Sequence, residues 1–184
     1  MRSGNWNDVG VSTDLFAVTV LGHDRPGIIA ATTAGLAELG LNIEDTTMTL
    51  LRGHFSMMLL CRGAANGAEI ETALAPLAAV GDLDVAVRRV TDEPSHASGG
   101  SQWVLTVHGG DRSGIVSAIV AEVAAVGGNI TDLTTRLAGE LYLLVAELDL
   151  PADVDEPALD ATIRAAAAQL GVTATLRPVE ADEL

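Results

Sequence analysis

Apolar residues change period several times along the chain, and each change marks an element. Leu15–Leu21 is a short apolar run rich in β-branched residues and closed by Gly22, which suits a buried strand. Ile28, Thr32, Leu36 and Leu39 then recur every three or four residues, the spacing of one helix face, and Gly40 follows where a left-handed cap ends a helix. Threonine-rich Asn42–Leu51 predicts a strand, Arg52-Gly53 a tight turn, and apolar His54–Cys61 the returning strand of a hairpin. Ile70, Leu74, Leu77 and Val80 form a second helical stripe, followed by a strand over Asp84–Val90. Pro76 lies inside that stripe, and its missing N–H predicts a kinked or shortened helix.

The whole order returns 87 residues later. Residues 20–50 match residues 107–137 without a gap, with 15 identities in 31 positions. The shared cores are Gly22-His23-Asp24-Arg25-Pro26-Gly27-Ile28 against Gly109-Gly110-Asp111-Arg112-Ser113-Gly114-Ile115, and Asn42-Ile43-Glu44-Asp45 against Asn129-Ile130-Thr131-Asp132. The second copy predicts strands at Trp103–Val107, Asn129–Ala138, Leu141–Leu148 and Thr173–Val179. Its helical stripes are Ile115, Ile119, Val123, Val126 and Leu159, Ile163, Ala166, Leu170. A shift of 89 aligns Val87-Arg88 with Leu176-Arg177, so two or three residues enter the second copy before its last helix. Asp92–Ser101 is small, polar and turn-forming, as a linker is.

The pattern therefore predicts an amino-terminal tail over 1–13, a first domain over 14–91, a linker over 92–101, a second domain over 102–180 and an acidic tail over 181–184. Each domain is an α+β unit in the order βαββαβ, the ferredoxin-like arrangement of a four-stranded antiparallel sheet with two helices on one face. A unit of about 75–80 residues is near the lower limit for a self-sufficient core. Its exposed edge strands favour pairing with the other copy or with a second chain, so a homodimer is expected.

Composition narrows the chemistry. All ten basic residues are arginine, which removes Schiff-base lysines and phosphate-loop lysines from consideration. The formal charge of -15 is a poor match to a phosphate backbone, so direct nucleic-acid binding is not expected. Cys61 stands alone, which excludes an intramolecular disulfide and suits a reducing compartment; no apolar stretch reaches membrane-spanning length, and we expect a cytoplasmic protein away from membranes. His23, His54, His96 and His108 have no close metal-ligand spacing, Glu44-Asp45 alternate faces along a strand, and Cys61 sits in an apolar strand. We therefore expect no catalytic residues, no metal and no cofactor, hence no enzyme.

Two readings of the duplicated junction remain open. In one, Asp24 and Asp111 cap the following helices while Arg25 and Arg112 are solvated. In the other, a helix beginning at Pro26 or Gly27 offers unpaired N–H groups and partial positive charge to a small anion such as an α-carboxylate. Asn42 and Asn129 are likewise either left-handed turn residues or amides aimed at a ligand's charged groups. The strand over Met57–Cys61, apolar on both faces, predicts helices on one side and a neighbouring domain or partner on the other.

Asp-Arg-Pro-Gly-Ile and Asn-Ile-Glu-Asp within a duplicated βαββαβ unit resemble tandem ACT domains. More narrowly, Leu21–Ile28, Asn42–Asp45 and Phe55–Leu60 are similar to the glycine cleavage system transcriptional repressor family. The resemblance implies a regulatory protein that binds a small amino acid, plausibly glycine or serine, where the first-helix loop of one domain meets the second strand of a paired domain. Carried over by motif, one ligand set is His23, Asp24, Arg25, Gly27, Ile28, Asn42 and Ile43. The other is Asp111, Arg112, Gly114, Ile115, Asn129 and Ile130. It further implies control of amino-acid metabolism through a protein partner such as a transcription factor; the alternative is an ACT assembly module without a working ligand site. Gly110, Ser113 and Thr131 replace His23, Pro26 and Glu44 in the second copy, so the first site is expected to bind more tightly.

Overall fold

A computed structural model describes residues 13–80, 82–92 and 100–179. Residues 1–12 of the predicted tail over 1–13, most of the linker, with His96, and the acidic tail over 181–184 lie outside the described residues. The chain divides into two compact units, with the boundary between Glu93 and Pro94.

The first unit runs β1 (Asp14–His23), α1 (Ile28–Glu38), β2 (Asn42–Leu51), β3 (His54–Gly63), α2 (Gly67–Ala79) and β4 (Leu83–Val90). The second repeats it as β5 (Ser101–Gly110), α3 (Ile115–Ala125), β6 (Asn129–Ala138), β7 (Leu141–Leu150), α4 (Glu156–Gln169) and β8 (Val172–Pro178). The sheets have orders β2-β3-β1-β4 and β6-β7-β5-β8, with every neighbouring pair antiparallel. This is the ferredoxin-like arrangement in both copies.

Strand alternation puts Phe16, Val18 and Val20 of β1 beside Phe55, Met57, Leu59 and Cys61 of β3, where they meet Ile28, Leu36, Ile70 and Leu74 from the helices. The other face of β3 carries Met58, which is 44% exposed. In the second unit Leu105, Val107, Leu144, Ala146 and Leu148 meet Ile115, Ile119, Leu159 and Ile163.

The helix ends follow local chemistry. Gly40 at φ 68° and Gly127 at φ 74° take the left-handed conformation. Leu41 N–H then donates to Leu36 O at 3.1 Å, and Gly128 N–H to Val123 O at 3.0 Å, closing a Schellman cap in each copy. Helix α2 opens with a capping box between Asn66 and Glu69, a signal the periodicity alone did not include. It runs through Pro76 to Ala79: proline stands in the last turn and does not end it. Val80 is not part of the buried stripe, because the chain leaves the helix there and the side chain is 72% exposed. In α4 the buried position is Ala167, with Ala166 and Leu170 partly buried beside it.

The hairpins differ in their turns. Arg52 and Gly53 both have positive φ, 51° and 87°, as a two-residue turn between twisted strands requires, whereas in the second hairpin only Gly139 does. One edge strand of each sheet, β2 and β6, carries a bulge that periodicity did not reveal. The register skips one residue between Ile43 and Asp45, and again between Ile130 and Asp132, so Glu44 and Thr131 are the extra residues. No helix among the described residues is long and apolar enough to cross a membrane.

Candidate functional site

Each junction after the first strand is shaped by two glycines with separate tasks. At Gly22 a Cβ would overlap the Asp82 carbonyl oxygen, and at Gly109 it would lie 2.8 Å from Val172 Cγ1. These glycines therefore serve close packing against the start of the last strand. Gly27 and Gly114 are the N-cap residues of α1 and α3, at φ 92° and 93°, and a Cβ on Gly27 would meet nothing within 4 Å.

The helices begin at Ile28 and Ile115, one or two residues later than expected, because left-handed Gly27 and Gly114 cannot be part of a right-handed helix. The first helical bonds are Ala31 N–H to Gly27 O and Ala118 N–H to Gly114 O, both 2.9 Å. Neither helix has a side-chain cap, so Asp24 and Asp111 do not cap them. Asp24 is three residues before the N-cap, and its N–H donates instead to Gly53 O at 2.9 Å, tying the loop to the hairpin turn. No side-chain hydrogen bond caps the first turn of either helix among the described residues. Ile28 and Ile115 are buried in the cores and offer only backbone to a ligand, while His23, Asp24 and Asp111 are exposed.

Arg25 is not simply solvated. Its Nη2 donates to Leu77 O at 3.5 Å, in the last turn of α2, and its Nε is buried without a partner among the described residues. Arg112, by contrast, is exposed beside an open cleft of about 750 Å3 formed by Asp111, Arg112, Ser113 and residues 168–171 at the end of α4.

Asn42 and Asn129 are exposed strand residues; the left-handed positions before them belong to Gly40 and Gly127. Ile43 and Ile130 are partly buried against the cores. The register separates the asparagines from the loops of their own domains. His23 pairs with His54, whereas Asn42 pairs with Arg62, eight residues along β3 and about 26 Å away at about 3.3 Å per residue. In the second unit Gly110 pairs with Leu141 and Asn129 with Asp149. Each carried-over set is therefore split between opposite ends of one sheet.

The surroundings of the two asparagines differ in charge. Arg62 Nε contacts Glu44 Oε1 at 2.6 Å and Nη2 contacts Asp92 Oδ1 at 2.6 Å. Hydrogen bonds to Glu44 and then Asp92 raise the Arg62 pKa above its ordinary value. Beside Asn129, Asp149 stands in place of Arg62 and Thr131 in place of Glu44; the Thr131 hydroxyl donates to Glu147 O at 3.3 Å. Cys61 is buried, and burial followed by nearby Glu44 pushes its thiol pKa up, the opposite of what a reactive thiolate needs.

A model of the ACT domain matches residues 14–88 and again 101–177. The chain belongs to the ACT domain family. It is 27% identical over 176 residues to the glycine cleavage system transcriptional repressor of Escherichia coli, covering 91% of this chain and 92% of that protein. It is 38% identical over 77 residues to a UPF0237 protein of Listeria monocytogenes, covering 41% of this chain and 86% of the relative. Among solved structures, an unknown protein from Galdieria sulphuraria superposes with a TM-score of 0.77 at 28% identity, covering 91% of this chain and 99% of that one. A candidate glycine cleavage system transcriptional repressor shares the fold with a TM-score of 0.68 at 19% identity, covering 92% and 99%. The similarities place tandem ACT domains in a regulatory setting.

Proposed function

We propose that this chain is a non-enzymatic cytoplasmic regulator of amino-acid metabolism that binds a small amino acid, glycine or serine, where ACT domains pair. The observation that carries the reading is the duplicated helix start: a left-handed glycine followed by first-turn amides that no side chain caps. A ligand that touches both this loop and an asparagine takes them from two domains, because eight residues of strand separate them within one. The paired domain belongs to the same chain or to a second copy in a homodimer. The loop amides receive the α-carboxylate, and the asparagine amide, a donor and an acceptor, meets the ligand's charged groups.

Similarity to a protein named as a transcriptional repressor supports control of transcription, and the charge of -15 favours action through a partner protein over direct DNA contact. Ligand binding then acts by favouring one pairing of domains over another. A thermal-shift screen of the common amino acids tests the reading. A ligand at a hundredfold excess over Kd stabilises the native state by about 2.7 kcal/mol and raises Tm. No shift by any amino acid at millimolar concentration would instead support an assembly module. That second reading is favoured by half-exposed Met48 and Leu50 on β2 and exposed Leu133 and Leu137 on β6.

A further inference from the structure

His23 closes β1 and His54 opens β3, and the register sets them directly opposite one another. Their 31-residue separation in sequence hides this pairing. Both side chains are exposed, and their imidazole centroids lie 5.1 Å apart with ring planes inclined at 52°. We propose that His23 and His54 form a two-histidine site for Zn2+ at the edge of the ligand loop of the first ACT domain.

The separation matches the spacing of two imidazoles that share one ion. A ring nitrogen lies about 1.1 Å from the imidazole centroid and a Zn–N bond is about 2.0–2.1 Å, so two imidazoles on a tetrahedral Zn2+ have centroids about 5.2 Å apart. Imidazole suits this ion, and cross-strand placement on a sheet fixes both rings without ordering a loop. No group of three or more His, Cys, Asp or Glu side chains able to hold a metal is present among the described residues, so the two imidazoles are the protein ligands that they supply. Two protein ligands leave the coordination sphere open, unlike the closed four-ligand sphere of a structural zinc site.

The ion would fasten the last residue of β1 to the first of β3. The next residue, Asp24, is held by Gly53 O, so occupancy bears directly on the start of the loop. The second domain carries Gly110 and Leu141 at the paired positions and has no counterpart.

Calorimetric titration of tag-free full-length protein with Zn2+, in a non-coordinating buffer without amino acids, tests the site separately from ligand sensing. The expected result is one Zn2+ per chain, weakened at least tenfold by His23→Gly or His54→Leu and unchanged by His108→Ala. Melting of the metal-free variants at the wild-type temperature would show that the fold is kept. Co2+ bound to the wild type should show the visible absorption of a tetrahedral site, lost in His54→Leu. Absence of wild-type binding, or equal affinity in folded His54→Leu, would overturn the site and leave the pair as a ring contact only.

Discussion

The two ACT domains keep the same backbone devices and carry different chemistry on them. Gly22 and Gly109 pack against the last strand, Gly27 and Gly114 start the helices, Gly40 and Gly127 end them, and Glu44 and Thr131 bulge the edge strands at the same place. Around this frame, Arg25 folds onto Leu77 O whereas Arg112 stands open; Arg62 binds two carboxylates where Asp149 stands in the other copy; and His23 faces His54 where Gly110 faces Leu141. The duplication has held the positions that backbone geometry dictates, together with exposed Asp24/Asp111 and Asn42/Asn129, while Gly110, Ser113 and Thr131 replace His23, Pro26 and Glu44. The two domains are therefore one fold carrying different side-chain chemistry around the first loop.

The largest predicted difference between them is steric. Gly22→Ala drives a methyl group into the Asp82 carbonyl, a backbone atom, and should cost about 3 kcal/mol. Gly109→Ala meets Val172 at Cγ1, 2.8 Å away, and at Cα and Cβ, both 3.0 Å away, a milder overlap than at Gly22, and should cost about 1–2 kcal/mol. Denaturant midpoints of the two variants measure this, and equal costs would contradict the different crowding.

A smaller effect tests what the domains share. Gly27→Ala and Gly114→Ala each place a Cβ at a left-handed position with no close obstacle within 3.4 Å, so each should cost about 1 kcal/mol, equally. Unequal losses would mean that the two helix starts are not equivalent frames.

Smaller again is the arginine contrast. Arg25→Ala loses a long hydrogen bond to the end of α2 and should destabilise by roughly 0.5–1 kcal/mol, while Arg112→Ala should fall within about 0.5 kcal/mol of wild type. Thermal unfolding of both reads the difference, which a matched response would erase.

The weakest lever is alkaline pH. Burial raises the Cys61 thiol pKa in the folded state, so the folded protein holds its proton longer than the unfolded chain does. The sign follows: this contribution is intact below the unfolded thiol's pKa and is lost as pH rises through the folded value. Cys61→Val should flatten the alkaline decline in denaturant stability. The second domain has Leu148 at this position and should show no such thiol-dependent decline. A decline unchanged by Cys61→Val would contradict the assignment.

Much of the frame was legible because period, turn residues and duplication all report local geometry. Asn42–Leu51 and Asn129–Ala138 match the observed strands, and Gly40 and Gly127 mark the helix ends. What the sequence concealed is set by pairing across the sheet. A bulge at Glu44 leaves no trace in hydrophobic alternation on a strand exposed along most of its length. The opposite-end placement of Asn42 and the loop follows from strand direction, and motif matching ignores direction. Capping by Asp24 is one of two readings the sequence leaves open, because aspartate favours helix starts, but Gly27 three residues on takes the N-cap. His23 and His54 meet only through the β1–β3 register.

The most direct test of amino-acid sensing is calorimetric titration of the full chain with glycine and with serine, repeated for Asn42→Ala and Asn129→Ala. The account predicts saturable binding by the wild type and unequal losses in the two variants, at least tenfold in one of them. Binding that survives both substitutions unchanged would contradict a site completed by asparagine, and equal losses would contradict the non-equivalence of the two domains.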